Sequence, residues 1–108
     1  MKVIEFSEHF DKLNKMEWTS IRKYNEENVS KYANIGDIFE VIIKGKPSGL
    51  AVLKDKKLCF GNNINFDILV DDIMRNGKID WDWYWKIKEM PKCLILYFEV
   101  LVPTEAVK

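Results

Sequence analysis

The chain has 108 residues, the size of one ordinary domain, and its 47% hydrophobic content is enough for a core and argues against disorder. Its 17 Lys+Arg balance 17 Asp+Glu, so bulk charge does not drive it onto nucleic acid or anionic lipid, while one basic face stays compatible with a net charge of zero. The longest apolar run, Cys93 to Phe98, falls well short of the roughly 18 residues that cross a bilayer.

The N-terminus carries an acid, Glu5, and lacks the apolar block of a secretory signal. Cys59 and Cys93 lie in apolar stretches and read as buried free thiols of a reducing compartment. A bridge between them requires neighbouring strands. These features point to one cytoplasmic domain over residues 1–108, expected to act as a monomer with no membrane partner.

In chain order, Val3 to Phe6 leans towards a strand. Ser7 then offers an N-cap, and Phe10, Leu13 and Met16 recur at helical spacing, which predicts a helix from Glu8 to Met16. Glu17 to Lys23 reads as a strand with Trp18, Ser20 and Arg22 on one face and Thr19 and Ile21 on the other. Asn25 to Lys31 is polar and reads as a loop or a short helical turn. Gly36-Asp37 turns the chain into the strand Ile38 to Ile43, and Lys44 to Gly49 has hairpin chemistry. Leu50 to Leu53 returns, and Leu58 to Phe60 predicts a separate short strand. Phe66, Leu69, Val70, Ile73 and Met74 then form a helical stripe that Gly77 stops, with Asp67, Asp71 and Asp72 off it. Asp80 opens a second helix whose face is Trp81, Tyr84, Trp85 and Lys88; Pro91 ends it, and Leu94 to Val102 closes the chain as a strand. The pattern is a small β-rich domain with helices between strands.

Few residues suggest chemistry. His9 is the single histidine and has no ligand spacing around it, so no metal or cofactor is expected. Gly45-Lys46-Pro47-Ser48 lacks the earlier glycine of a phosphate-binding loop and reads as a hairpin turn. Asp67, Asp71 and Asp72 read as a solvated helix face rather than a carboxylate constellation. The basic residues are more suggestive. Lys44, Lys46, Lys54, Lys56 and Lys57 crowd a stretch with one acid, Asp55, and Lys15, Arg22 and Lys23 flank a strand that carries Trp18. Cations beside exposed rings suit nucleotides, by neutralising phosphate and stacking on bases. The alternative is that Trp18 belongs to the core and the lysines solubilise hairpin ends.

The order of segments resembles the ASCH domain family of the PUA-like superfamily. The family runs from a strand and helix into a Gly-x-Lys-Thr-x-Thr-x-Arg segment and then a Gly-Asp strand. "FDKLNKMEWTSIR" from Phe10 to Arg22 and "IGDIFEVII" from Ile35 to Ile43 are similar to that stretch. "LVDDIMRNG", "WDWYWKI" and "LILYFEVL" resemble its acidic helix, aromatic helix and closing strand. The resemblance implies an α+β fold, a PUA-like mixed β pseudo-barrel with two to three inserted helices. Arg22 matches the motif arginine, Ser20 stands for the second threonine, and Gly36 and Asp37 match the Gly-Asp pair. Glu17 and Trp18 replace the motif lysine and first threonine, and Asn76 or Gly77 falls where acetylcytidine amidohydrolases of the family carry a glutamate. That activity is therefore not expected.

The leading expectation is an RNA- or nucleotide-binding domain with a cleft between first helix and barrel. Its site residues are Lys15, Glu17, Trp18, Ser20, Arg22 and Lys23, with Lys44 and Lys46 extending a phosphate track. In it Arg22 contacts phosphate or a base edge, Ser20 gives a short polar contact and Trp18 stacks. The alternatives are a hydrolase acting on a modified nucleoside or RNA, with Glu17 as acid/base beside Ser20, and a protein-interaction module. In the last, Trp81 and Trp85 are read as core and Trp83 as the exposed member of the cluster.

Overall fold

The computed structural model describes residues 1–103. Seven strands occur in it: β1 (Lys2–Phe6), β2 (Glu17–Lys23), β3 (Ile38–Ile43), β4 (Lys46–Cys59), β5 (Met74–Arg75), β6 (Lys78–Ile79) and β7 (Cys93–Val102). Three helices lie between them: α1 (Glu26–Lys31), α2 (Phe66–Ile73) and α3 (Trp81–Glu89). Five strands form one curled half-barrel sheet in the order β1-β3-β4-β7-β2, and β5 and β6 form a small separate hairpin. The β1–β3 pair is parallel, whereas β3–β4, β4–β7 and β2–β7 are antiparallel. This α+β architecture leaves β1 and β2 as the two edges of the sheet.

Alternation builds the core. Leu94, Leu96, Phe98 and Val100 of β7 point into the curl, where they meet Ile4, Phe39 and Leu53. Cys93 and Ile95 point the other way, into a second cluster with Ile21 of β2, Leu69 and Ile73 of α2, and Ile87 of α3. The first part of β7 is thus covered on both faces, which explains the unbroken apolar run from Cys93 to Phe98, whereas Glu99 and Leu101 beyond it are exposed. Strand β2 obeys the same rule, with Trp18 and Ser20 inward and Ile21 towards α2.

Several elements differ from the sequence expectation. The helix expected from Glu8 to Met16 is a single 3-10 turn, Asp11–Asn14, and Met16 is exposed. Phe10 is extended before it, and the turn is short enough to drive both Lys12 and Leu13 inward. A longer helix would carry Met16 onto that inner face. The segments Leu50 to Leu53 and Leu58-Cys59 belong to one continuous strand, β4, and Phe60 lies just beyond its end. Residues 46–52 pair with β3 and residues 50–59 with β7, with register shifts at Leu50/Ala51 and Leu53/Asp55 on the β7 side, so backbone pairing carries the strand through its lysines. Of the two alternatives for Asn25 to Lys31 the helical one is formed, as α1, whose N-cap Asn25 side chain accepts from the Asn28 N–H.

Two tight turns have a shared basis. Lys44-Gly45 and Asn76-Gly77 both take positive φ at each position, the geometry that two-residue hairpin loops require. Gly77 therefore closes the β5–β6 hairpin rather than simply ending α2. Cys59 and Cys93 lie opposite one another in the β4–β7 ladder as free thiols, with the Cys93 thiol donating to the Cys59 carbonyl at 3.4 Å.

Candidate functional site

A cleft of about 380 Å³ opens between the end of β1, the inner face of β2 and the first turns of α3. Its floor is a buried ion pair. The 3-10 turn sends the Lys12 side chain inward, where its ammonium donates to the Asp72 carboxylate and, at 2.6 Å, to the Thr19 carbonyl. The Phe6, Phe10 and Trp18 rings surround that ammonium, with centroids 5.3, 5.8 and 5.8 Å away. Lys12 is only 2% and Asp72 only 3% exposed. Burial pushes the Lys12 ammonium below its ordinary pKa, against the opposing pull of Asp72.

Asp72 collects three donors. Besides Lys12 it accepts from the Ile21 N–H at 3.2 Å and from the Trp83 indole N–H at 2.6 Å. One carboxylate thereby ties the 3-10 turn, β2, α2 and α3 together. The expectation of a solvated Asp72 is overturned, and so is that of the tryptophans. Trp83 is half-buried and faces the cleft, whereas Trp81 and Trp85 are 57% and 59% exposed. The cause is Ile87, whose burial against β2 and α2 turns the four-spaced Trp81 and Trp85 outward.

Above the floor stands Arg22. Its Nε donates to Ser20 Oγ at 3.0 Å, and one terminal nitrogen donates to the Glu5 carbonyl at 3.2 Å. The guanidinium lies over the Phe6 ring, 5.0 Å from its centroid. Arg22 therefore spans the gap between the two edge strands. Among the described residues no carboxylate pairs with Arg22 or with Lys86, the cation on the α3 wall. Arg75, in contrast, is held by Glu8 and Asp80.

Of the residues expected in the cleft, Ser20 and Arg22 are there. Lys15 is exposed and pairs with Asp71, and Glu17 is exposed opposite Glu99 in the β2–β7 ladder. Neither lines the cleft. Trp18 is 4% exposed and stacks on Phe98 inside the curl at 4.8 Å, so its ring has no free face for a base. Lys23 lies exposed at the end of β2. Lys44 pairs with Glu8 at 3.5 Å and Lys46 is exposed on its turn, both outside the cleft lining. Gly36 and Asp37 are structural: the Gly36 N–H donates to the Leu53 carbonyl and Asp37 holds Lys2.

Lys12, Asp72, Trp83 and Lys86 were not expected in the site. The signal for Asp72 lay in its spacing: three residues after Leu69 and one before Ile73, it borders the buried stripe of α2. No hydrogen bond links Lys12 to Ser20, whose oxygen instead accepts from Arg22, so the nucleophile-and-base contact of a hydrolase is not formed. Among the described residues no group of three His, Cys, Asp or Glu side chains could hold a metal. No family model, no curated protein and no solved structure matches the chain.

Proposed function

We propose that the chain is an RNA- or nucleotide-binding domain of ASCH, PUA-like type, and that the cleft over the Lys12–Asp72 pair receives the ligand. The observation that carries this reading is Arg22. Two of the five N–H donors of a guanidinium are used to hold it in place, which leaves three for a ligand, and among the described residues no carboxylate forms an ion pair with it. Lys86 adds a second cation that forms no ion pair among the described residues, and Trp83 and Phe10 line the same cleft with flat side chains. The carboxylates of Glu5 and Asp82 accept from base amino or ribose hydroxyl groups.

The test is a titration of the folded protein with adenosine 5′-monophosphate and with short single-stranded RNA. Binding is expected with a dissociation constant on the order of 10 μM or weaker at physiological salt, tightening as salt falls. Arg22→Ala is expected to cost about 1–3 kcal/mol of that binding, whereas exposed Lys57→Ala costs little. An Arg22→Ala protein that melts like the parent and binds as well would reject the cleft.

A second reading is a hydrolase acting on a modified nucleoside. Its favouring observation is that Lys12, Ser20 and Asp72 line one cleft, so a lysine and a carboxylate reach the site from other positions than the motif ones. Glu17, the acid/base that the sequence suggested, is not needed in this version.

A further inference from the structure

We infer that the binding site is bipartite, and that its ligand is an oligonucleotide of at least two residues whose linking phosphodiester sits on Arg22. This rests on the nucleotide-binding reading above. The observation is a second hollow, about 510 Å³, on the other side of Arg22. Glu5, Phe6, Ser7 and Arg22 line both hollows, so the two share a wall rather than lying on separate faces. Beyond that wall the second hollow runs to α1, where Asn28, Lys31 and Glu27 line it.

Arg22 crosses the open seam between β1 and β2, where side chains and not a backbone ladder connect the edges. Its anchors, Ser20 and the Glu5 carbonyl, fix the guanidinium at the junction of the hollows with donors to spare. A phosphate monoester at the end of a single nucleotide would fill one side only. A phosphodiester at the junction places one nucleoside in each hollow, and the polar groups on either side match that arrangement. Lys86 and Asp82 stand on the first side, Lys31, Asn28 and Glu27 on the second. Lys31 forms no ion pair among the described residues; its ammonium stands 5.6 Å from the Tyr32 ring centroid. Each hollow so offers a cation and carboxylate or amide acceptors to the edge of a base and to ribose.

The test compares adenosine 5′-monophosphate with the dinucleoside monophosphate ApA by calorimetry. ApA carries less charge, so a single phosphate site would prefer the mononucleotide. The bipartite site is expected to bind ApA about tenfold more tightly, the gain of hydrogen bonds between the second nucleoside and the charged side chains of the second hollow. Lys31→Ala, and Lys31→Gln as a variant that keeps the stem, are expected to weaken ApA several-fold and leave the mononucleotide unchanged. A mononucleotide that binds in an Arg22-dependent way, with ApA no tighter or indifferent to Lys31, overturns the bipartite site and leaves the cleft standing. Failure of both ligands to bind overturns the nucleotide reading as well.

Discussion

At the scale of single residues, the Asp72 carboxylate decides whether the cleft has a floor. Removing it leaves the Lys12 ammonium buried among three rings with only the Thr19 carbonyl, and frees the Ile21 and Trp83 N–H donors. Breaking one side of such a buried pair costs about 3–5 kcal/mol, more than the pair itself contributes. Asp72→Ala is therefore expected to lose that much in urea unfolding, and adding Lys12→Met to it is expected to restore part of the loss. A double variant no more stable than Asp72→Ala would show that the stranded charge is not the cause. The sequence disclosed the upper half of this site and hid the lower. Ser20 and Arg22 follow from strand alternation in Glu17 to Lys23, which local pattern encodes. Lys12 and Asp72 are ordinary surface residue types, and only their pairing across a distance of 60 positions makes them interior.

At the scale of elements, the seating of α3 depends on one glycine. A Cβ on Gly61 would lie 2.1 Å from the Ile87 carbonyl oxygen and 2.5 Å from that of Met90, both backbone atoms at the C-terminal end of α3. The Gly61 N–H also donates to the Met90 carbonyl at 3.0 Å, so the approach is part of how the helix is held. Gly61→Ala must push the helix away, with overpacking of about 1–3 kcal/mol or more. At roughly 4–8 °C per kcal/mol for a domain near this size, the melting temperature is expected to fall by about 10 °C. An unchanged melting temperature would show that α3 is not seated on that contact. Nothing in the sequence marked Gly61 as more than a turn residue, because a close approach is set by the partner and not by the glycine. Strands were more legible: Glu17 to Lys23 and Ile38 to Ile43 match the observed bounds, since alternation is written locally. The helix expected from Glu8 failed because Phe10 and Leu13, three apart, fit a single 3-10 turn equally well.

At the scale of the molecule, β7 joins the core inside the curl to the core beneath α2 and α3. Cys93 lies at the start of that strand, fully buried in the second cluster and opposite Cys59. Burial pushes its thiol from 9.0 to about 11, with the Cys59 thiol opposite adding to the rise. The folded chain thus keeps a proton that the unfolded chain releases first. Stability from this group is complete below pH 9.0 and is lost as the pH climbs from 9.0 towards about 11. Lys12 runs the other way: its lowered pKa makes the fold shed a proton before the unfolded chain does, so its contribution rises with pH up to the ordinary value of 10.5. The two are separable by substitution. Cys93→Ala is expected to be less stable than the parent at neutral pH, from the lost packing, and to flatten the alkaline decline. The measurement is urea unfolding of both proteins at steps between pH 8 and 11, read as the difference at each pH. Because β7 belongs to both cores, intrinsic tryptophan fluorescence and far-ultraviolet dichroism are expected to report one coincident transition throughout. A difference between parent and variant that stays constant across the range would assign the alkaline loss to groups other than Cys93.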